Sequence, residues 1–483
     1  MLLRLLYEEK LAQASYFVGC QATGEALVID PGRSIDDYLH LAHAEGMAIT
    51  AVTETHIHAD YVSGSRELAA VTGAKLYLSD EGDDSWKYQF AEEAGAQPVY
   101  DGDEFWVGNI KLQVMHTPGH TPEHISFILT DTAGANEPMG IFTGDFVFVG
   151  DVGRPDLLET AAGFKGTMRA GAQTLYRSLQ RFKDLPDYLQ VWPGHGAGSA
   201  CGKALGAVPQ STVGYEKLFN WALTAETEDD FVSTVLDGQP EPPFYFKEMK
   251  RVNKEGPALV ADRAMPRPLA PESINDYIAG DTPVVDMRSQ LAFAGGHIPG
   301  TLNIPFSKSY LTWAGWLLPY DKPFALIVDE RDLESTVGTC AASGWTTSPD
   351  FDSRHRRRVG RCRGPSRAAV RLSGDDRGCR SGGCRRLGEC PRRSRDFRVP
   401  RGPHSGRDQR ADGVHPPRAR QHSSDKPLIV HCQTGVRSMI ASSLLQKLGR
   451  TNIVNYMGSF SDWNESGKPV ERGAAQREAV TAD

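Results

Sequence analysis

Thr55-His56-Ile57-His58-Ala59-Asp60-Tyr61 follows directly on an apolar run that ends at Val52. On an extended strand end, residues two apart project to one side, so His56 and His58 share a face. Three further stretches carry side chains of the same kind. Thr117-Pro118-Gly119-His120-Thr121 follows IKLQVMH, Thr143-Gly144-Asp145 ends GIFTG, and Pro193-Gly194-His195 ends YLQVW. Each stands after a strand and before a turn, where open α/β folds build their sites. A lone histidine there is more often structural. Four histidines with two aspartates point to a metal site instead.

Outward from these turns, strand-like runs (ALVID, AKLYLS, IKLQVMH, GIFTG, YLQVWPGH) alternate with helical ones (IDDYLHLAHAEG, SGSRELAAVTG, TMRAGAQTLYRSLQRF). Such alternation predicts a layered α/β unit over residues 1–262. With 483 residues the chain exceeds one core, and two to four domains are expected. No apolar run approaches the roughly 18 to 20 residues that span a bilayer, so no membrane partner is expected. The opening MLLRLLYEEK has Arg4 inside a short apolar run and reads as a first strand, not a signal peptide. Eight cysteines in a chain of this length do not form a disulfide framework, which places the expected setting in a reducing cytoplasm.

The succession HxHxD, TPGH, TGD and PGH resembles the metallo-β-lactamase superfamily over roughly residues 1–205, and within it the persulfide dioxygenase and glyoxalase II branch. The resemblance implies an αββα sandwich. It does not by itself fix the reaction. One departure bears on that question. Dinuclear hydrolases of the superfamily read HxHxDH, with the last histidine on a second metal, and Tyr61 stands there in this chain. A neutral phenol is a poor zinc ligand. Asp60, Tyr61 and His195 then remain as outlying groups or as a vestigial second site. Two histidines and one carboxylate form the facial triad of non-haem Fe(II) oxygenases. Carried over from persulfide dioxygenases, the implied ligands are His56, His120 and Asp145, with His58 either joining or lining the site.

The implied cofactor is one Fe(II) per chain, and the implied reaction takes a low-molecular-weight thiol persulfide and dioxygen to sulfite and thiol. The alternative keeps Zn(II) at two weak sites and hydrolyses thioesters. Two further residues are open between roles. Arg154, in Gly153-Arg154-Pro155-Asp156, either meets a substrate carboxylate or pairs internally with Asp151 or Asp156. Cys201, in the Gly-rich stretch after His195, either carries sulfur or is a buried, inert thiol.

A proline-spaced linker (Pro266, Pro268, Pro271) leads into a second α/β unit, taken as 263–343 with its linker. Residues 425–470 look like the C-terminal half of a third unit, and 471–483 like a polar tail. In that half, an apolar strand over 427–430 runs into His431-Cys432-Gln433-Thr434-Gly435-Val436-Arg437-Ser438 and then a helix. A cysteine at a helix N-terminus has its thiolate or persulfide anion stabilised by backbone N–H groups and the helix dipole. The loop resembles that of rhodanese sulfurtransferases. Its C-x4-R spacing, Cys432 to Arg437, differs from the C-x5-R of cysteine phosphatases. Cys432 is the implied persulfide carrier, with sulfite as acceptor. The second unit resembles rhodanese through PVVDMR and GHIPGTLNIPF. Aligning DKPFALIVDE with DKPLIVHC puts Glu330 where Cys432 stands, so this unit reads as non-catalytic.

Residues 353–424 differ from everything else. They hold 21 arginines, no lysine and six acids, a charge of +15 inside a chain of net −8. An Arg-rich arm for nucleic acid is one reading. Out-of-frame GC-rich DNA is the other, and codon arithmetic favours it. Permitted codons for Arg401–Ala411, shifted by one base, spell EGHIPGATNVP, while residues 296–305 of the same chain read GHIPGTLNIP. GWTTSPDF (344–351) similarly permits LDDVAGF under the other shift. Residues 344–424 are therefore expected to be structureless, and no nucleic-acid partner is expected. The Cys432 half-unit would then lack its N-terminal half, and little sulfur transfer is expected from the chain as it stands. A homo-oligomer is compatible with the sequence.

Overall fold

The computed structural model describes residues 1–157, 166–259, 269, 271–340 and 427–470, apart from positions 10, 200, 204, 240, 244, 281, 308, 321, 334 and 337–339. The whole of the segment read as out of frame, 344–424, including the four cysteines at 362, 379, 384 and 390, lies outside the described residues. So does the tail from residue 471.

The first strands are β1 (Leu2–Glu8), β2 (Gln13–Cys20), β3 (Glu25–Ile29), β4 (Ala48–Thr53), β5 (Lys75–Ser79) and β6 (Gln97–Val99). They form one sheet in chain order, antiparallel from β1 to β3 and parallel from β3 to β6. A second sheet has the order β14-β13-β10-β9-β8-β7. Its strands are β7 (Glu104–Val107), β8 (Ile110–His116), β9 (Ile125–Asp131), β10 (Gly140–Gly144), β13 (Gln190–Pro193) and β14 (Ser211–Thr212). Between β10 and β13 a small ribbon pairs β11 (Val147–Phe148) with β12 (Asp151–Val152).

Alternation along the strands produces the layers. From β2 and β3, Tyr16, Val18, Leu27 and Ile29 face Leu112, Phe127, Leu129, Phe142 and Trp192 of the other sheet. The intervening Phe17, Ala26 and Val28 face outward, under the helices Asp36–Glu45 and Ser65–Thr72. Every residue of β2 is accordingly buried. The helices Met168–Lys183 and Glu228–Leu236 cover the second sheet through Leu175, Leu179, Phe182 and Phe231. Each such fully buried side chain contributes roughly 1.5–3 kcal/mol. Helix ends follow local chemistry: Asp36 and Asp37 lie in a first turn, and Gly46 closes that helix at φ 65°. The architecture is the expected αββα sandwich, and no described helix is long and apolar enough to cross a membrane.

In the second unit, β15 (Val284–Asp286) pairs in parallel with β16 (Leu302–Asn303) and β17 (Ala325–Ile327). Further along the chain, β18 (Leu428–Val430) pairs in parallel with β19 (Ile453–Asn455). The helix between them, Val436–Lys447, also packs on β16, and Ser443 Oγ accepts a hydrogen bond from the Asn303 amide at 3.0 Å. The N-terminal half that the Cys432 unit was expected to lack falls outside the described residues. The helix Val436–Lys447 has a neighbour in the second unit.

Candidate metal centre

Four turns converge at one end of the sandwich. β4 delivers His56 and His58, the turn after β8 delivers His120, and the ends of β10 and β13 deliver Asp145 and His195. Glycine makes the approach possible at two of them. Gly144 has φ 49°, and a Cβ there would lie 2.5 Å from Thr55 Oγ1 and 2.9 Å from His124 Nε2. A Cβ on Gly194 would lie 2.8 Å from Asp145 Oδ1.

One ligand atom each from His56, His120 and Asp145 lie within 4.8 Å of one another, and all three residues are buried. A second group at the same spacing joins Asp60, His195 and Cys201. His195 Nε2 links the groups, at 3.2 Å from Asp60 and 3.4 Å from Asp145.

Hydrogen bonds fix which imidazole nitrogen carries the proton. His120 Nδ1–H donates to the Arg154 carbonyl (3.1 Å) and His195 Nδ1–H to the Ala12 carbonyl (2.9 Å). Thr55 donates its hydroxyl proton to Asp30, so its oxygen accepts from His56 Nδ1–H at 3.0 Å. In the neutral rings, all three Nε2 lone pairs therefore face Asp145 Oδ1 or Oδ2, and neither of those oxygens has a hydrogen-bond donor. Lone pairs and a carboxylate converging in a buried space repel unless a cation sits among them. The donor set fits a divalent metal, with outer partners that orient each ring.

The electrostatics agree for His56 and His120, whereas burial would lower His195 but the charges of Asp145 and Asp60 outweigh it and raise it. Burial holds the His56 imidazole well below its ordinary value and lowers His120 to about 3, so both stay neutral. Burial pushes the Asp145 carboxyl up to about 6, a trend a bound cation reverses. His58 behaves otherwise. Burial would lower it, but the Asp30 carboxylate at 3.0 Å outweighs burial and pushes it up to about 9. A cationic imidazole has no lone pair for a metal. Tyr61 packs against His58 at a tilt, with ring centroids 4.5 Å apart, and its hydroxyl donates to the Asp30 carbonyl at 3.3 Å.

Arg154 is fully buried, and its guanidinium grips Asp156 through Nε (3.0 Å) and the second nitrogen (2.7 Å). The geometry shows the internal pair; no exposed guanidinium is left for a substrate carboxylate. Burial raises the Cys201 thiol well above its ordinary value, the state of an unreactive cysteine, with the charges of Asp60 and Asp145 adding to the effect.

Sequence reasoning missed three residues. Asp30, at φ 51°, accepts from the Thr55 amide, the Thr55 hydroxyl and His58. His124 Nε2 accepts from the Asp145 amide at 3.0 Å, and its ring stacks on His56. Asn253, from the helix Phe246–Glu255, donates to the carbonyls of His58 and Tyr61 and accepts from the Ser63 amide. Asn253→Ala leaves these three buried groups without a partner. It should cost about 3 kcal/mol, read as a lowered midpoint in thermal unfolding. An unchanged midpoint would show that water replaces the amide.

Comparisons with known proteins bear on this geometry. The Metallo-beta-lactamase superfamily profile matches residues 9–195, and the Rhodanese-like domain profile matches 400–466. The second match starts ahead of the expected boundary at 425, inside the Arg-rich segment. A crystal structure of a metallo-beta-lactamase from Staphylococcus aureus subsp. aureus COL is 44% identical, with a TM-score of 0.64, covering 71% of this chain and 96% of that one. The mitochondrial persulfide dioxygenase ETHE1 of Bos taurus is 28% identical over 47% of this chain and 78% of its own length. A hydroxyacylglutathione hydrolase of Rhodospirillum rubrum is 31% identical over 37% of this chain, which spans 60% of that relative. The chain belongs to the metallo-beta-lactamase superfamily, with persulfide dioxygenase relatives and a rhodanese-like domain at its C-terminal end.

Proposed function

We propose that the N-terminal domain is an iron-dependent dioxygenase of low-molecular-weight thiol persulfides, and that Cys432 passes sulfane sulfur onward in the same chain. The observation that carries this is the pair of imidazoles, His56 and His120, turned by their Nδ1 hydrogen bonds to converge with Asp145, beside a Tyr61 whose hydroxyl is committed elsewhere. Fe(II) held by two histidines and one carboxylate would supply open positions for a sulfur donor and dioxygen. The chain's own residues do the rest. Asp30, through Thr55, and the Arg154 carbonyl keep His56 and His120 turned inward and deprotonated at Nε2. The buried walls around Ala59, Phe148 and Tyr245 keep the site dry. A persulfide, dioxygen and one water then balance to thiol, sulfite and two protons. Sulfite leaves as the acceptor for a sulfane sulfur from Cys432, which gives thiosulfate.

A second reading has one observation in its favour. Asp60, His195 and Cys201 offer three ligand atoms together, and neither Asp60 oxygen has a hydrogen-bond donor. Two zinc ions held this way would generate a hydroxide for thioester hydrolysis, the reaction class of the R. rubrum relative. Metal content decides. Full-length protein purified without oxygen should hold one iron per chain by mass spectrometry and consume oxygen with a persulfide. Two tightly held zinc equivalents with thioester turnover would overturn the dioxygenase.

A further inference from the structure

The helix Val436–Lys447 buries Ser438 through Ser443 without a break, and Leu445 after them. Six consecutive helical positions sweep more than one full turn, so the helix is covered on every side. Among the described residues its own half-unit offers a sheet of two strands, β18 and β19, enough for one face. A further face packs on β16, an edge strand of the second unit. Adjacent leucines show the division. Leu445 packs with Val430 and Ala441 in its own half-unit, while Leu444 packs with the second-unit core of Val285, Leu302, Ile304 and Tyr310. Between the two layers, Ser443 Oγ takes the Asn303 amide proton.

The same helix carries the Cys432 cradle at its N-terminus. Gly435 N–H points at Sγ from 3.1 Å, Ser459 Oγ lies 3.8 Å away, and Ser459 Oγ also accepts from the Cys432 amide. Gly435 has φ 92° and lies against the Met457 carbonyl, which ties the loop to the segment after β19. Burial would raise the thiol, but the backbone donors of Ser438, Thr434 and Gly435 bring it below its ordinary value. Thr434 and Gly435 lead into the helix and Ser438 lies in its first turn, so their aim depends on how the helix is seated.

We propose that residues 271–340 form the scaffold of the Cys432 half-unit: β16 seats the helix Val436–Lys447, so one sulfur-transfer loop is assembled from two half-units of this chain. This gives a role to a unit that holds Glu330 where a sulfur carrier would stand. The transfer it supports is an exchange of one bond. The Cys432 thiolate attacks the outer sulfur of thiosulfate, a sulfur–sulfur bond forms, the old one breaks, and sulfite leaves with its electron pair. No oxidant is needed. The inference is independent of the dioxygenase, because its readouts involve neither iron nor oxygen.

The test uses the full chain and three variants. Leu444→Glu puts a charge into the second-unit core. Ser443→Ala removes the Asn303 acceptor with little change of volume. Leu448→Glu, at an exposed position on the next turn, is the control. The pH profile of Cys432 alkylation by iodoacetamide, located by peptide mass spectrometry, reads the cradle. Amide exchange at Asn303 reads the seat. Leu444→Glu should shift the alkylation midpoint up, speed Asn303 exchange at least tenfold and lower thiosulfate-dependent persulfidation of Cys432 at least tenfold. Ser443→Ala should speed Asn303 exchange in a protein that still folds, and Leu448→Glu should change nothing. Wild-type exchange at Asn303 in Ser443→Ala, or an unmoved alkylation profile in Leu444→Glu, would overturn the proposal.

Discussion

His120→Ala is expected to abolish oxygen consumption with a persulfide substrate and to leave the purified protein almost free of iron. The substitution removes one of the three donors of that group and leaves His56 and Asp145 of it in a buried space. Loss of an outer partner of a metal ligand typically costs 10- to 100-fold in affinity or activity, so loss of the ligand itself should exceed roughly 10²-fold. His56→Ala and Asp145→Ala should behave alike. His58→Ala should do less, because that ring donates to Asp30 and its charged form has no lone pair to offer. Iron content by mass spectrometry and oxygen uptake at an electrode are the measurements. His120→Ala with normal iron and normal uptake would remove it from the centre. His58→Ala with damage equal to His120→Ala would promote His58 to a ligand.

These assignments were legible in the sequence where chemistry and local geometry coincide. His56, His120, Asp145 and His195 each follow a strand and precede a turn, and the short phrases around them carry the glycines that close approach requires. The partners that orient them were not legible. Asp30 sits at the end of β3 and reaches Thr55 and His58 only because β3 and β4 run in parallel register, Ile29 opposite Thr53. Its sequence signal, a lone Asp-Pro-Gly after a strand, also fits an ordinary turn. Asn253 lies 195 residues from His58, on a helix whose polar pattern gives no reason to expect a buried amide. Arg154 stood evenly between substrate and internal pairing, and burial alone separates the two. The seat of the Val436–Lys447 helix on β16 could not be read at all. It joins Asn303 to Ser443 across 140 residues, through a backbone amide that has no sequence signature. Sequence reasoning therefore picked out side chains that converge in the fold and missed what holds them in place.

Cys432→Ser is expected to eliminate thiosulfate-dependent sulfur transfer while leaving oxygen uptake at its wild-type rate. Serine keeps the shape of the loop and its contact with Ser459 Oγ through the residue 432 amide. What it loses is the thiolate, since only sulfur forms the persulfide bond and an alkoxide is not populated near neutral pH. The cradle is built for an anion: Gly435 N–H reaches Sγ at 3.1 Å, and the helix Val436–Lys447 starts beside it. The thiol therefore titrates below its ordinary value. Transfer should accordingly follow the thiolate, falling as pH drops through that lowered value and staying level above it. The metal centre shares no residue with this loop, so the two activities should separate cleanly in one chain. Measured side by side, wild type should show both, His120→Ala transfer alone, and Cys432→Ser oxygen uptake alone. Transfer surviving in Cys432→Ser would assign the sulfur to another cysteine, with Cys20, Cys201 and Cys340 as the buried alternatives among the described residues. Wild-type protein without transfer would mean that β16 cannot replace the missing half of the domain, and that Cys432 is held too loosely to react.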